Sequence, residues 1–217
     1  MTPSFFALII VAYLLGSIPF GILIAKAHGK DLRTIGSGNI GATNVARALG
    51  KKWAYTCFAL DCLKGLLPML IAKTLTEPLN VAKLSLWLIV GCAAITGHIF
   101  PVYLKFKGGK GMSTCLGVVL GLFPYYTLPG IISFAIWALC LLLWRYVSLA
   151  SIISAVIFPF SLIVAILLQD SWAFSSLWPL IVVALVIPAI VVIRHVENIK
   201  RLLEASESKV LQRKPEV

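Results

Sequence analysis

One polar stretch, Gly36-Ser-Gly-Asn-Ile-Gly-Ala-Thr-Asn-Val-Ala-Arg47, interleaves glycines with hydroxyl and amide side chains and ends on a guanidinium. Gly36, Gly38 and Gly41 let the backbone turn through positive φ and approach a ligand with no Cβ in the way. Successive N–H groups in such a turn form a concavity for anions, and a helix beginning there adds its positive dipole end. Residues 42–49 have helical composition and Gly50 is a C-cap, so Thr43 and Asn44 share a helix face with Arg47. Ser37, Gly38, Asn39, Thr43, Asn44 and Arg47 together offer the hydroxyl, amide, backbone and guanidinium donors that a phosphate requires. The plainer alternative is an amphipathic loop lying on a membrane surface; the coincidence of glycine, donors and cation favours the phosphate.

A second cluster, Lys105-Phe-Lys-Gly-Gly-Lys-Gly111, sets Lys107 and Lys110 around Gly108 and Gly109, just before a helix expected to begin at Met112. Its order is neither that of a P-loop, where Ser or Thr follows the lysine, nor that of a dinucleotide fingerprint. Alone it is a positive anchor at a tight turn; on the same membrane side as the first loop it makes a second phosphate site. Arg194, Asn198 and Arg201 follow i, i+4, i+7 and form one polar stripe of a helix that also carries His195. Either this is a surface helix under anionic headgroups, or His195, with an unperturbed pKa near ~6.5, orients or deprotonates a hydroxyl. Asp61 and Lys64, three apart inside an apolar run, either neutralise each other or shape the floor of a site. His98, at the end of another run, reads first as a satisfied helix-end residue and second as a site member.

The elements that must position these groups are apolar. Hydrophobic runs near 3–25, 53–72, 85–104, 113–127, 128–144, 147–168 and 177–193 consume most of the 217 residues, 60% of which are hydrophobic. A helix crosses the hydrocarbon layer in ~20 residues. Because the runs are continuous rather than alternating, helices and not a closed barrel satisfy the backbone. The expected fold is all-α and polytopic: a single domain over residues 1–217 with seven transmembrane helices and a polar, fraying tail from about residue 202.

Pro124, Pro129 and Gly130 interrupt residues 113–144, and reading two helices there settles the topology. Sixteen of the nineteen Lys and Arg residues then fall on one side, in 26–52, 105–110, Arg145 and the tail from Arg194. By the positive-inside tendency that side is cytoplasmic, with the amino terminus external and the carboxyl terminus cytoplasmic. No charge precedes Lys26, so the first run reads as a retained helix rather than a cleaved signal. The net charge of +11 is distributed as topology demands, which argues against nucleic acid as a partner. All five cysteines sit in apolar runs without metal-like spacing, and act as small apolar residues.

Three signatures, GSGNIGATNVAR (36–47), GHIFPVYLKFKGGKG (97–111) and RHVENIKRLL (194–203), resemble those of the bacterial acyl-phosphate:glycerol-3-phosphate acyltransferases of the PlsY type. Gly16-Ser-Ile-Pro-Phe-Gly21 and Asp61-Cys-Leu-Lys-Gly65 extend the likeness over almost the whole chain. The resemblance implies a seven-helix enzyme of the bacterial cytoplasmic (inner) membrane with its site on the cytoplasmic side. It implies transfer of a fatty acyl group from acyl phosphate to the sn-1 hydroxyl of glycerol 3-phosphate, giving lysophosphatidic acid and inorganic phosphate, the first acylation of phospholipid biosynthesis. Those substrates and membrane lipid are its implied partners, without cofactor or metal.

Residue by residue, Ser37, Asn39, Thr43, Asn44 and Arg47 match the first motif, Lys107 and Lys110 the second, and His195 and Asn198 the third. His195, Asn198, Arg47 and Lys110 are the expected catalytic set, with Asp61, Lys64, His98 and Arg201 in support. Ile40 stands where the family often has Pro, and Ala205-Ser-Glu-Ser208 where it has a Gly-Thr-x-Pro-like turn, leaving Glu207 at the acidic position. The implied donor is an activated mixed anhydride, so no acyl-enzyme is required. The rival is a transporter of organic anions, which predicts a mid-bilayer site between two related halves; the chain shows no such halves.

Overall fold

The structure, a computed structural model, describes residues 3–76 and 79–210; the expected tail residues Arg213 and Lys214 lie outside them. All regular elements among the described residues are helical. Helix α1 (Pro3–Ser17) and helix α2 (Phe20–Ala27) make one span interrupted at Ile18-Pro19, where proline brings no N–H to the helix ladder. With α4 (Lys51–Thr74), α5 (Val81–Ile99), α7 (Thr127–Trp144), α8 (Val147–Leu168) and α9 (Phe174–Arg194), it gives six stretches among the described residues long and apolar enough to cross a membrane.

The seventh expected passage, at residues 113–127, is shorter than a full span. Helix α6 occupies only Met112–Gly121. Ten residues rise about 15 Å, against a hydrocarbon layer of roughly 30 Å. It is followed by a turn carrying Pro124, which cannot extend a hydrogen-bonded helix from within. Instead of meeting lipid all round, α6 presses against α4. A Cβ added to Gly65 would collide with the Thr114 carbonyl, and one added to Gly117 with the Cys62 carbonyl. Small residues thus let the two backbones approach closely.

The main core joins α1, α4, α5, α8 and α9 around Trp87, Leu88, Met69, Leu162 and Leu180. Two polar stitches cross it: the Trp87 indole donates to the Met69 carbonyl (2.9 Å) and the Tyr126 hydroxyl to the Leu180 carbonyl (2.7 Å). Outside, residues such as Leu142 and Leu168 remain exposed, a surface that suits lipid rather than water.

The four basic segments meet at one end of the bundle. Arg33 Nη2 donates to the Lys107 carbonyl (2.5 Å), and Arg194 Nη2 to those of Gly108 and Gly109 (3.2 Å each). The Val210 amide donates to the Arg145 carbonyl (2.8 Å). Two short helices lie there, α3 (Ala42–Leu49) and α10 (Val196–Leu203).

Candidate active site

The first loop folds around Asn44. Its amide nitrogen donates to the carbonyls of Leu32, Ile35 and Asn39 at 2.9–3.0 Å, while its Oδ1 accepts from the Ser37 amide at 3.1 Å. Asn44 is 1% exposed. Its expected role as a phosphate donor is therefore corrected: both amide hydrogens are taken, and the side chain holds the loop in shape. Gly36 (φ 58°) and Gly38 (φ 66°) supply the left-handed turns that this wrapping needs. Ser37, Asn39, Thr43 and Arg47 line the cavity together with Asn44. The amino terminus of α3 opens on the same space through Gly41 and Ala42, where helix N–H groups lack intrahelical partners.

The second loop departs further from expectation. The amides of Gly108 and Gly109 donate to the carbonyls of Ile99 and His98 (3.1 Å each), so this pair closes the end of α5 rather than forming an anion nest. Lys107 is exposed and lies outside the cavity lining. Lys110 does reach the cavity, with Gly111, Met112 and Ser113 at the amino terminus of α6. Beneath the loop, the Lys64 ammonium stands 2.8 Å from Asp61 Oδ1, donates to the Ile18 carbonyl (2.9 Å) and meets His98 Nδ1 (3.1 Å). All three side chains are buried. His98 is the satisfied helix-end residue, and it has a second task, because a Cβ on Gly109 would run into its Nε2. The Asp61–Lys64–His98 cluster is the scaffold on which the Lys110 loop rests.

The third segment is not one continuous helix. Helix α9 ends at Arg194, His195 adopts φ −104° and ψ 6°, and α10 starts at Val196. The break divides the expected stripe. Arg194 turns to the glycine loop, whereas Asn198 accepts a hydrogen bond from Lys110 and donates to Glu207 Oε1 (2.7 Å). Arg201 Nε donates to Glu207 Oε2 (2.7 Å) and the Ser148 hydroxyl to Oε1 (2.8 Å). The segment after Leu203, expected to fray, is thereby anchored as far as Val210.

Charge and burial set the protonation states. Burial raises the Glu207 carboxyl, but hydrogen bonds from Arg201, Asn198 and Ser148 outweigh it and hold the group below its ordinary range. Burial, only partly opposed by Glu207 and reinforced by Arg201, Arg194 and Arg47, lowers Lys110 to about 8. Burial and then the Lys110 charge lower His195 to about 4, so its imidazole is neutral at pH 7. His195 is 2% exposed and its Nδ1 lies 2.7 Å from the Val191 carbonyl, which only an N–H can satisfy. The neutral ring then presents Nε2 as an acceptor.

These groups share one cavity of about 670 Å³. Its mouth holds Arg47, Lys110, His195 and Asn198; its body runs between α6, α7, α8 and α9 and is mostly apolar. Two amino-terminal helix ends and two cations make the mouth receptive to anions, and an unprotonated imidazole nitrogen beside them accepts a hydroxyl proton or hydrogen bond. Sequence reasoning missed Ser148 and Arg194 as parts of this framework. Nothing in the residues around Ser148 separates it from the other serines of an apolar run, while the basic character of Arg194 was visible and its carbonyl partners were not.

A family model described as glycerol-3-phosphate acyltransferase matches residues 6–205. The chain belongs to that family. It is similar to the glycerol-3-phosphate acyltransferase of Geotalea daltonii, with 48% identity over 202 residues, covering 93% of this chain and 95% of the relative. The enzyme of that name from Aquifex aeolicus is 47% identical over 206 residues, covering 92% and 96%. A crystal structure of PlsY, an integral membrane glycerol 3-phosphate acyltransferase in its glycerol 3-phosphate form, superposes with a TM-score of 0.83 at 44% identity, covering 95% of each chain. Its lysophosphatidic acid form gives a TM-score of 0.80 at 43% identity. Together with the six apolar spans, this makes the protein a multi-pass membrane member of the glycerol-3-phosphate acyltransferase family.

Proposed function

We propose that the protein moves a fatty acyl group from acyl phosphate to the sn-1 hydroxyl of glycerol 3-phosphate, releasing lysophosphatidic acid and inorganic phosphate. The whole chain, residues 1–217, acts as one catalytic domain in the bacterial cytoplasmic membrane. Its amino terminus is external, and its carboxyl terminus and site are cytoplasmic; α6 makes the seventh, partial passage. The observation that carries this is the single cavity in which Arg47 and Lys110, from separate segments, stand with His195 at the mouth of an apolar slot.

Two phosphorylated substrates repel one another: unit charges ~6 Å apart cost roughly 2.8 kcal/mol at an effective dielectric near ~20. Arg47, Lys110 and the amino termini of α3 and α6 offset that repulsion. Lys107 and the Gly108–Gly109 backbone, first expected to grip phosphate, act at most by their surrounding charge and by holding Lys110. Ser37, Asn39 and Thr43 supply neutral donors.

In the reaction the sn-1 oxygen attacks the acyl carbonyl carbon, the carbon–oxygen bond to phosphate breaks, and the hydroxyl proton leaves with the departing phosphate. A phosphomonoester takes its second proton near ~6 and orthophosphate somewhat higher, both above the value of about 4 for His195. The proton therefore ends on phosphate, and His195 Nε2 aligns the hydroxyl by accepting its hydrogen bond. The donor is already an activated mixed anhydride with phosphate as its leaving group, so direct transfer needs no acyl-enzyme. Alignment and preorganised donors supply the acceleration.

Purified protein given palmitoyl phosphate and glycerol 3-phosphate should yield lysophosphatidic acid, and acyl-CoA should not replace the donor. Glycerol 3-phosphate uptake into vesicles without product would overturn the proposal in favour of transport. His195→Gln, which keeps an acceptor but not the ring's geometry, is expected to lower kcat by ~100-fold, the scale of a misaligned nucleophile. Near-wild-type turnover in that variant would remove His195 from the reaction.

A further inference from the structure

Below its mouth the cavity follows the bundle inward. From His195, at the end of α9, its lining extends back along that helix to Val183, about 18 Å at the helical rise. On α8 it extends from Ser148 to Phe158. Residues of the main core line its inner end: Tyr126 and Phe158 are buried members of it, and Val119 and Val183 pack against it. That end is also pinned. The Tyr126 hydroxyl is held by the Leu180 carbonyl, and its ring meets Phe158 edge-on with centroids 5.0 Å apart.

Width is created differently, by small residues. Gly130, Ser133, Ser154 and Ala155 line the slot where larger side chains would fill it. Ser133 is 8% exposed, and its hydroxyl has no hydrogen-bond partner among the described residues. An unsatisfied hydroxyl in an apolar interior is unfavourable. Its placement is explained by its size: the side chain leaves room for something apolar beside it.

The surrounding bilayer is as apolar as the slot, so an acyl chain gains little hydrophobic free energy by moving between them. Selectivity must come from fit, through close contacts won along the wall and steric excess at a stop that cannot yield. The charged mouth fixes where the phosphate end sits, so the distance from mouth to floor becomes a measure of length. We propose that Tyr126 and Phe158 are the floor of the acyl slot and Ser133 part of its narrow wall, and that together they set the longest acyl chain the enzyme accepts efficiently. This rests on the acyl-transfer function proposed above.

The test compares kcat/KM for saturated donors from octanoyl to stearoyl phosphate at fixed glycerol 3-phosphate. Ser133→Leu, which removes no hydrogen bond, should cut kcat/KM for palmitoyl phosphate by ~10-fold or more while octanoyl phosphate changes less than ~3-fold, the scale expected of a methylene-sized misfit. Phe158→Ala deepens the slot and should shift the preferred donor to a longer chain. KM for glycerol 3-phosphate should be unaltered in both. Should Ser133→Leu fail to give a folded helical protein by circular dichroism, the smaller Ser133→Val step and Phe158→Ala carry the comparison. Folded variants with the wild-type length profile would overturn the ruler; absence of turnover by the wild type with every donor would instead overturn the acyl-transfer proposal beneath it.

Discussion

Lys110 and Arg47 look equivalent as cations, yet only Lys110 can lose its charge in a working pH range. Its environment lowers it to about 8, so the ammonium is present below that value and disappears above it. In the free enzyme, the state that kcat/KM reports, activity is expected to fall as pH rises through about 8. Lys110→Arg should extend the alkaline limb upward, because a guanidinium stays protonated, while lowering the plateau by ~10-fold through the altered hydrogen bond to Asn198. A pH–rate profile of both proteins checks this. The cation was legible from its glycine-flanked motif. What could not be read was which polar groups face inward: Asn44 resembles a ligand donor in every respect except that the loop's own carbonyls claim it.

At the scale of elements, the Lys110 loop depends on the end of α5, and that end depends on an ion pair inside the bundle. Removing one partner of a buried pair costs on the order of 3–5 kcal/mol, because the survivor is left uncompensated. Lys64→Met should therefore lower the thermal unfolding midpoint in detergent markedly and raise KM for glycerol 3-phosphate, with Asp61→Leu/Lys64→Met destabilising less than the single change. Equal destabilisation by the single and double variants would remove the ion pair from this account.

Most helices were legible because long apolar runs leave lipid-compatible backbones few options, and α3 ended at Gly50 as its glycine signalled. Helix α6 was not. Hydropathy measures apolar content, whereas the length of α6 is decided by a proline-bearing turn and by Gly65 and Gly117 admitting it against α4. The break at His195 was hidden for a similar reason, since no proline or glycine announces it.

Across the whole molecule, segments far apart in the chain close around one polar end, and Glu207 ties the last of them down. Its depressed pKa means that its contribution is complete at neutral pH and is lost as pH falls through the folded-state value, below 4.5. Glu207→Gln should lower the neutral-pH unfolding midpoint by a few degrees and flatten the acid limb of stability, as a loss of ~2 kcal/mol from charged hydrogen bonds implies. Unfolding curves from neutral pH to below 4.5 test it. The one-sided gathering of positive charge was legible from loop composition; the return of the tail was not, because its stitches to Ser148 and Arg145 join residues with no local pattern in common.

The anion-receptive mouth has a consequence for regulation by supply. Helix ends and cations that welcome an incoming phosphoryl group do not distinguish it from one that is leaving. On the acyl-phosphate reaction proposed above, orthophosphate should thus act as a product inhibitor, competitive with one phosphorylated substrate, and initial rates measured against rising orthophosphate would show it. A cell holding this enzyme would then make membrane lipid at a pace tied to its free phosphate as well as to its fatty chains.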